Sequence, residues 1–348
     1  MTQDDISGLG IEQSTLRGWL TDHVPDMGQL RRVQKFGAGQ SNPTYLLECS
    51  AGRFVLRSKP GGQLLKSAHL VEREFRVMQA LAGSAVPVPP VLHLEADATS
   101  PTGRAFFIMG YVEGRIFFDP ALPDCPDRGA MFDAMNATLA ALHDVDVAAA
   151  GLTDFGKPAG YFQRQLDRWG QQYAAATAQP LADMVRLERW LQDNVPPDDG
   201  QVTLVHGDWR IDNLMFAPDA PDVVAVLDWE LSTLGHPFAD LAYQCMQWRL
   251  PNSGDMRGLG GIDRAAVGLP GEQAYVSRYL ERRGLGAIDK WPFYLGFSFF
   301  RLASILAGVV ARAEAGNASN PVMARAYGRA VPQLAAMAVR VMEKGADE

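Results

Sequence analysis

Three oxygen-bearing side chains stand close together in sequence: Asp208 in His206-Gly207-Asp208, Asn213 five residues later, and Asp228 in Asp228-Trp229-Glu230. The apolar runs VTLV and VVAVL on either side read as strands, so the two carboxylate clusters sit on loops beside a short hairpin rather than on a solvated polar turn. Phosphoryl transfer asks for little covalent help from a protein. It needs a base beside the attacking hydroxyl and metal ions that neutralise the nucleotide phosphates. Asp208 is the candidate base, and Asn213 and Asp228 are candidate ligands for Mg²⁺, a cation that takes oxygen donors. His206 reads as a buried structural histidine, because Asp208 sits where the substrate hydroxyl should be. Asp212 and Glu230 either reach the metal through water or brace the loops.

These residues need a scaffold. Upstream, RRVQKF, GAGQSN, TYLLEC, the turn Ser50-Ala51-Gly52 and RFVLR give strand, glycine-rich loop, strand, turn, strand. A helix is predicted over 67–81, with Val71, Phe75, Met78 and Leu81 at helical spacing and Gly83 to end it; VPVPP forbids its continuation. VLHLEA and AFFIMGYV, split by DATSPTG, add two strands. Beyond Gly114 the pattern turns helical, with amphipathic stretches at 131–143 and 161–176 and long apolar helices at the carboxyl end. The expected fold is α+β with two lobes. Residues 1–113 form a small five-stranded antiparallel lobe with one helix, and residues 114–348 a larger, mostly helical lobe.

A chain of 348 residues can bury a large core. Its net charge of −8 leaves no basic stripe for nucleic acid. Cys49, Cys125 and Cys245 lie far apart, without a CxxC pair, so neither disulfides nor zinc are indicated. The start Met1-Thr2-Gln3-Asp4-Asp5 has no basic-then-apolar order, and a cytoplasmic location is expected. The stretch 293–310 approaches membrane-span length but contains Ser298, Arg301 and Ser304, and is read as a buried helix; no membrane association is expected.

The signature HGD, four residues, Asn, then a downstream Asp resembles that of the aminoglycoside phosphotransferase and choline kinase-like superfamily, which shares a protein-kinase-like fold. More narrowly, FGAGQSNPTYLL, FVLRSKPGGQLLKSAHLVEREFRVMQAL, YFQRQLDRWGQQY and VHGDWRIDN resemble the kinase-like domain found fused to, or encoded beside, acyl-CoA dehydrogenases. That resemblance covers nearly the whole chain. It implies ATP and Mg²⁺ as cofactors, Asp208 as base, and Asn213 and Asp228 on the metal. Gly37, Gly39, Gln40, Ser41 and Asn42 would lie over the phosphates, where a Cβ would obstruct close approach of backbone N–H groups. The third strand, where the family places Lys, carries Arg57, with Lys59 two residues on, and which of them grips the phosphates stays open. Glu74 resembles the helix partner of that cation, with Glu72 second. Met109, Gly110, Tyr111 and Val112 would meet the nucleotide base through backbone groups, leaving ATP against GTP open. Asp240 resembles the buried aspartate that anchors the catalytic-loop backbone. Gly207 stands where many protein kinases have an arginine, and Asp228-Trp229-Glu230 replaces their DFG, so phospho-switching is not expected.

The function implied is transfer of a nucleotide γ-phosphate to a hydroxyl of a small molecule. The association with dehydrogenases suggests a hydroxyacyl-CoA or related metabolite and a functional link to an acyl-CoA dehydrogenase. The alternatives are a phosphohydrolase, which would not need the upstream lobe; a pseudokinase or scaffold, supported by Arg57 alone; and an aminoglycoside- or choline-type kinase. His143 reads as a packed helix-end residue, and Trp169 and Tyr173 as core.

Overall fold

The computed structural model describes residues 6–37, 42–61, 70–97, 99–253, 257–315 and 321–345. The chain divides into two compact units, one of residues 1–115, 215–220 and 224–232, the other of 116–214, 221–223 and 233–348. Asp228 is therefore carried by the first unit, and Asp208 and Asn213 by the second.

The first unit is built on a five-stranded antiparallel sheet of β1 (Leu30–Lys35), β2 (Thr44–Cys49), β3 (Gly52–Ser58), β4 (Val91–Glu95) and β5 (Phe106–Gly110), in the order β1-β2-β3-β5-β4. The tight turn after Cys49, which pairs with Gly52, locks the β2–β3 register, setting Thr44 opposite Arg57. In β5, Phe106, Phe107, Ile108 and Met109 are all buried, because both faces of this inner strand are covered. Phe106 and Ile108 pack with Tyr45, Leu47 and Leu56 against helix α1 (Gln13–His23) through Leu16 and Leu20. Phe107 meets the opposite side, where Phe75 of helix α2 (Val71–Leu81) stands edge-on to it. Where one helix is expected, the described residues of this unit form two, because the Leu16 and Leu20 pair that seats α1 is too sparse an apolar pattern to mark a helix before the sheet beneath it is known. Residues 67–69 of the predicted helix 67–81 lie outside the described residues.

Along α2 the buried positions are Val71, Glu74, Val77, Met78 and Leu81, so a carboxylate sits within the apolar stripe. A lone ionised carboxylate there would cost several kcal/mol, so it demands a partner.

The second unit is mostly helical: α3 (Arg128–His143), α4 (Tyr161–Ala176), α5 (Ala182–Asp193), α6 (Phe238–Met246), α7 (Glu272–Arg283), α8 (Trp291–Glu314) and α9 (Pro321–Lys344). Strand β6 (Arg115–Ile116) precedes these helices; β7 (Thr203–Val205), β8 (Leu214–Phe216), β9 (Val223–Val226) and β10 (Thr233–Gly235) fall between α5 and α6. Helix α8 is the one described helix long and apolar enough to cross a membrane, and most of its apolar window is buried against α9, α4, α6 and α5. Its polar residues are satisfied inside the protein. Ser298 and Ser304 donate to carbonyls one turn back, at Tyr294 (2.9 Å) and Phe300 (2.8 Å), and Arg301 donates to the Gly207 carbonyl. The three cysteines are buried and unbridged.

Candidate active site

In the first unit the carboxylate on α2 finds its partner on β3. The Arg57 Nε lies 3.0 and 3.1 Å from the two Glu74 oxygens, while its Nη2 lies 2.6 Å from Asp228 Oδ1. Asn42, just before β2, adds a hydrogen bond from its Nδ2 to Glu74 Oε1 at 2.8 Å. Burial and the charge of Asp228 push the Glu74 carboxyl up to about 7 in spite of Arg57 and Asn42, whereas Glu74 and Asp228 together keep the Arg57 guanidinium firmly charged despite its burial. Glu74, Asp228 and Glu230 bring oxygens within 4.8 Å of one another, a hard-donor set of the kind that suits a divalent cation.

The backbone that presents Asp228 is shaped for it. Asp228 adopts a left-handed conformation (φ 62°, ψ 60°), uncommon outside glycine and most accessible to Asn and Asp. The following turn is pinned: the Trp229 indole donates to the Val226 carbonyl (3.0 Å), and Arg73 of α2 donates to the Ser232 carbonyl (3.3 Å).

Lys59 takes other partners, Glu72 at 2.6 Å and Asp97 at 2.9 Å, just past the end of β3. The two cations that the sequence left competing are thus held by separate carboxylates. Gly37 is exposed with open space around it, and Gly39, Gln40 and Ser41 lie outside the described residues. At the end of β5, next to Met109, the Gly110 N–H is taken by the Pro90 carbonyl (2.8 Å) and the Tyr111 N–H by the Arg53 carbonyl (3.2 Å). A Cβ on Gly110 would meet Pro90 Cγ at 2.8 Å, which is why glycine stands there. Arg53 lies over the Tyr111 ring at 4.2 Å. Among the described residues the Val112 N–H carries no such bond.

In the second unit Asp208 sits on a loop clamped from below. Asp240, fully buried on α6, accepts from the backbone N–H groups of His206 (2.6 Å) and Gly207 (2.8 Å). Gly207 has φ +84°, a conformation a side chain would strain, and its carbonyl receives Arg301. His206 is buried, and its Nδ1 accepts from the Asp208 N–H at 3.2 Å. Trp209 and Ile211, both 1% exposed, anchor the loop in the core. Asn213, at the end of a 3₁₀ turn, donates to the Asp208 carbonyl (2.8 Å) and carboxylate (3.0 Å). Its Oδ1 is left pointing to no protein donor among the described residues, as a metal ligand would require.

Three groups around this loop escaped the sequence reading. Arg210 pairs through both arms with Asp212 and holds its Nε 4.0 Å from Asp208 Oδ1, which places a cation beside the candidate base. Tyr243, buried on α6, has its hydroxyl pushed up by burial and by the neighbouring Asp208. Arg301 lies over the rings of Tyr243 (5.2 Å) and Trp169 (5.7 Å). The signal for Arg301 was available, since a charge inside so apolar a helix must have an internal partner. His143 does more than pack: its ring nitrogens meet Tyr279 Oη at 2.6 Å and Asp240 Oδ2 at 3.4 Å. Trp169 and Tyr173 are core residues.

Comparison with known proteins places this arrangement. A family model described as "Phosphotransferase enzyme family" matches residues 32–275. Acyl-CoA dehydrogenase family member 10 of Mus musculus is 46% identical over 308 residues, 88% of this chain but 28% of the relative. Acyl-CoA dehydrogenase family member 11 of Homo sapiens is 38% identical over 317 residues, 89% of this chain and 40% of the relative. The chain thus spans well under half the length of these relatives. Among solved structures, a Ralstonia eutropha protein provisionally named an aminoglycoside phosphotransferase shares 43% identity at a TM-score of 0.84, covering 94% of this chain and 97% of that one. The spectinomycin phosphotransferase APH(9)-Ia, crystallised with ADP and spectinomycin, shares the fold at a TM-score of 0.62 with 12% identity, covering 95% of this chain and 99% of that one.

Two outcomes follow from the buried charges. Arg57→Ala strands Glu74 without its counter-charge and should cost about 3–5 kcal/mol; adding Glu74→Ala should recover part of that loss, as chemical denaturation of the two single variants and the double variant will read. His143 is held neutral by burial, its pKa below the unfolded value. Below about pH 6.5 the unfolded chain therefore binds a proton that the folded one does not, and stability falls with acidification. The slope of Tm between pH 7 and 5 should flatten in His143→Gln.

Proposed function

The chain belongs to the phosphotransferase enzyme family, and on that footing we propose that it transfers the γ-phosphate of ATP, with Mg²⁺, to a hydroxyl of a small molecule. The observation that carries this reading is the hydrogen-bonded Asp208–Asn213 pair on a loop whose backbone is fixed by Asp240. Asp208 is the group to accept the proton of the attacking hydroxyl. The clamp limits its movement, and Asn213 steers one of its oxygens so that the other can face the substrate. Arg210 supplies positive charge beside it, of the kind that stabilises the negative charge of a transferring phosphoryl group.

In the first unit the Asp228 oxygen not taken by Arg57 is a donor that would hold Mg²⁺, with Glu230 close beside it; in the second unit Asn213 Oδ1 is the donor suited to the same role. When bound, Mg²⁺ would supply the positive charge that offsets the negative charge of the nucleotide phosphates. Nucleotide use is supported by the ADP bound in the spectinomycin enzyme of the same fold.

The acceptor we favour is a hydroxyacyl-CoA or related metabolite, in functional association with an acyl-CoA dehydrogenase. The support is that the curated relatives carry acyl-CoA dehydrogenase names along chains more than twice as long as the matching part. An aminoglycoside acceptor has less behind it, because the spectinomycin enzyme shares the fold at only 12% identity.

Asp208→Asn should lower turnover by roughly 10² to 10⁴, the usual worth of a positioned general base, while ATP affinity measured by calorimetry stays unchanged. Turnover equal to the wild type would remove Asp208 from the chemistry. An ATP-consumption screen over hydroxyacyl-CoAs, sugars, amino alcohols and aminoglycosides should give its strongest signal with the hydroxyacyl-CoAs; consumption with aminoglycosides alone would transfer the assignment to them.

A further inference from the structure

A cavity of about 750 Å³ opens in the second unit, where the end of α6, the starts of α7 and α8 and the end of α9 converge. Its volume lies in the range of small-molecule sites. Two indoles and three arginines line it: Trp248 and Trp291, Arg249, Arg264 and Arg340, with Glu272 as the one carboxylate.

The pieces have different tasks. Arg249, with a side chain 10% exposed, is committed to Glu272, and the Trp291 indole donates to the other Glu272 oxygen at 2.8 Å. That bond fixes the orientation of the Trp291 ring in the cavity wall. The Trp248 indole is likewise held by the Pro270 carbonyl at 2.9 Å. Arg264 and Arg340 are not engaged in this way: neither has a carboxylate partner among the described residues. In a protein of net charge −8, two uncommitted guanidinium groups facing one aromatic-walled cavity form a local positive field that selects anions and repels polycations.

The cavity and Asp208 belong to the same unit: Trp248 lies two residues past the end of α6, the helix that carries Tyr243, the residue beside Asp208. We propose that this cavity binds the nucleotide end of a coenzyme A thioester, with Arg264 and Arg340 on its phosphates and the Trp291 ring against its purine. Guanidinium groups suit phosphates through paired charge-assisted hydrogen bonds, and an indole face accepts a planar base by stacking. This assignment rests on the reading of the acceptor as an acyl-CoA and gives that reading a place for the part of the molecule that does not react.

The test uses calorimetry on the full chain and on the double variant R264E/R340E, with coenzyme A, adenosine 3′,5′-bisphosphate and ADP as probes. The wild type should bind coenzyme A and the bisphosphate, and the variant should bind both roughly tenfold to a hundredfold more weakly, the worth of losing one or two charge-assisted contacts. Affinity for Mg·ATP should be the same in both proteins, which also shows that the variant is folded. The proposal is overturned if the wild type binds neither probe, if the variant binds them equally well, or if ADP matches them at the arginines, which would make the site one for free nucleotides. Failure of the acceptor reading looks different. Arginine-dependent binding of the bisphosphate with no phosphorylation of any CoA thioester keeps the cavity and removes the acceptor; phosphorylation with the same KM in both proteins keeps the acceptor and removes the cavity.

Discussion

A carboxylate sealed from water must be met by donors or it will not stay ionised, and Asp240 meets that condition with the backbone of the very loop that carries Asp208. Against the cost of its burial, the hydrogen bond with His143, and after it the charge of His206 and the Gly207 N–H, hold its carboxyl below the usual carboxylate range, so the clamp stays charged across ordinary pH. Because the donors are backbone groups, the constraint acts on the path of the chain rather than on one rotamer. Gly207 can then take a positive φ, Arg301 can reach its carbonyl from α8, and Trp209 can turn into the core. Asp208 is left partly exposed on a loop whose backbone is held from several sides.

The first unit solves a similar problem with side chains alone. Glu74 is nearly as buried as Asp240, yet it receives a guanidinium and an amide instead of backbone N–H groups, and its burial and the neighbouring Asp228 oppose its ionisation. Its carboxyl is therefore raised where that of Asp240 is lowered. One buried acid is a fixed clamp. The other belongs to an arrangement whose charge is closely balanced.

How far such features can be read without coordinates depends on whether their cause is local. The β2–β3 hairpin, the all-apolar β5 and the span of α4 follow from period and turn chemistry within a few residues, and they were legible. So was the spacing of Asp208, Asn213 and Asp228. Helix α1 was not, because its amphipathic pattern gains meaning only from the sheet it covers. The anchoring of the Asp208 loop by Asp240 was anticipated from the resemblance, but the groups of α3, α7 and α8 that complete the network around it, up to 136 residues apart in sequence, were not. Polar residues embedded in apolar runs, such as Arg301 and His143, were visible as anomalies, but a sequence does not say which of many distant groups answers them. Arg210 was visible too, inside the motif itself, and was overlooked because the pattern of carboxylates and amide left no vacancy for a cation.

The arginine at position 57 can be understood in the same terms. A lysine there would bring one compact ammonium, strongly hydrated and able to face one carboxylate well. The guanidinium presents Nε to Glu74 on α2 and Nη2 to Asp228 on the turn after β9, two directions from one rigid plane. With 15% of its side chain exposed, it remains charged between them, since neither burial nor neighbours can neutralise an arginine at ordinary pH. Replacing lysine by arginine at such a point is not conservative, yet it is not a loss either: it exchanges a mobile point charge for a fixed fork that ties strand, helix and Asp228 together. Both arms of that fork are engaged, one by Glu74 and one by Asp228.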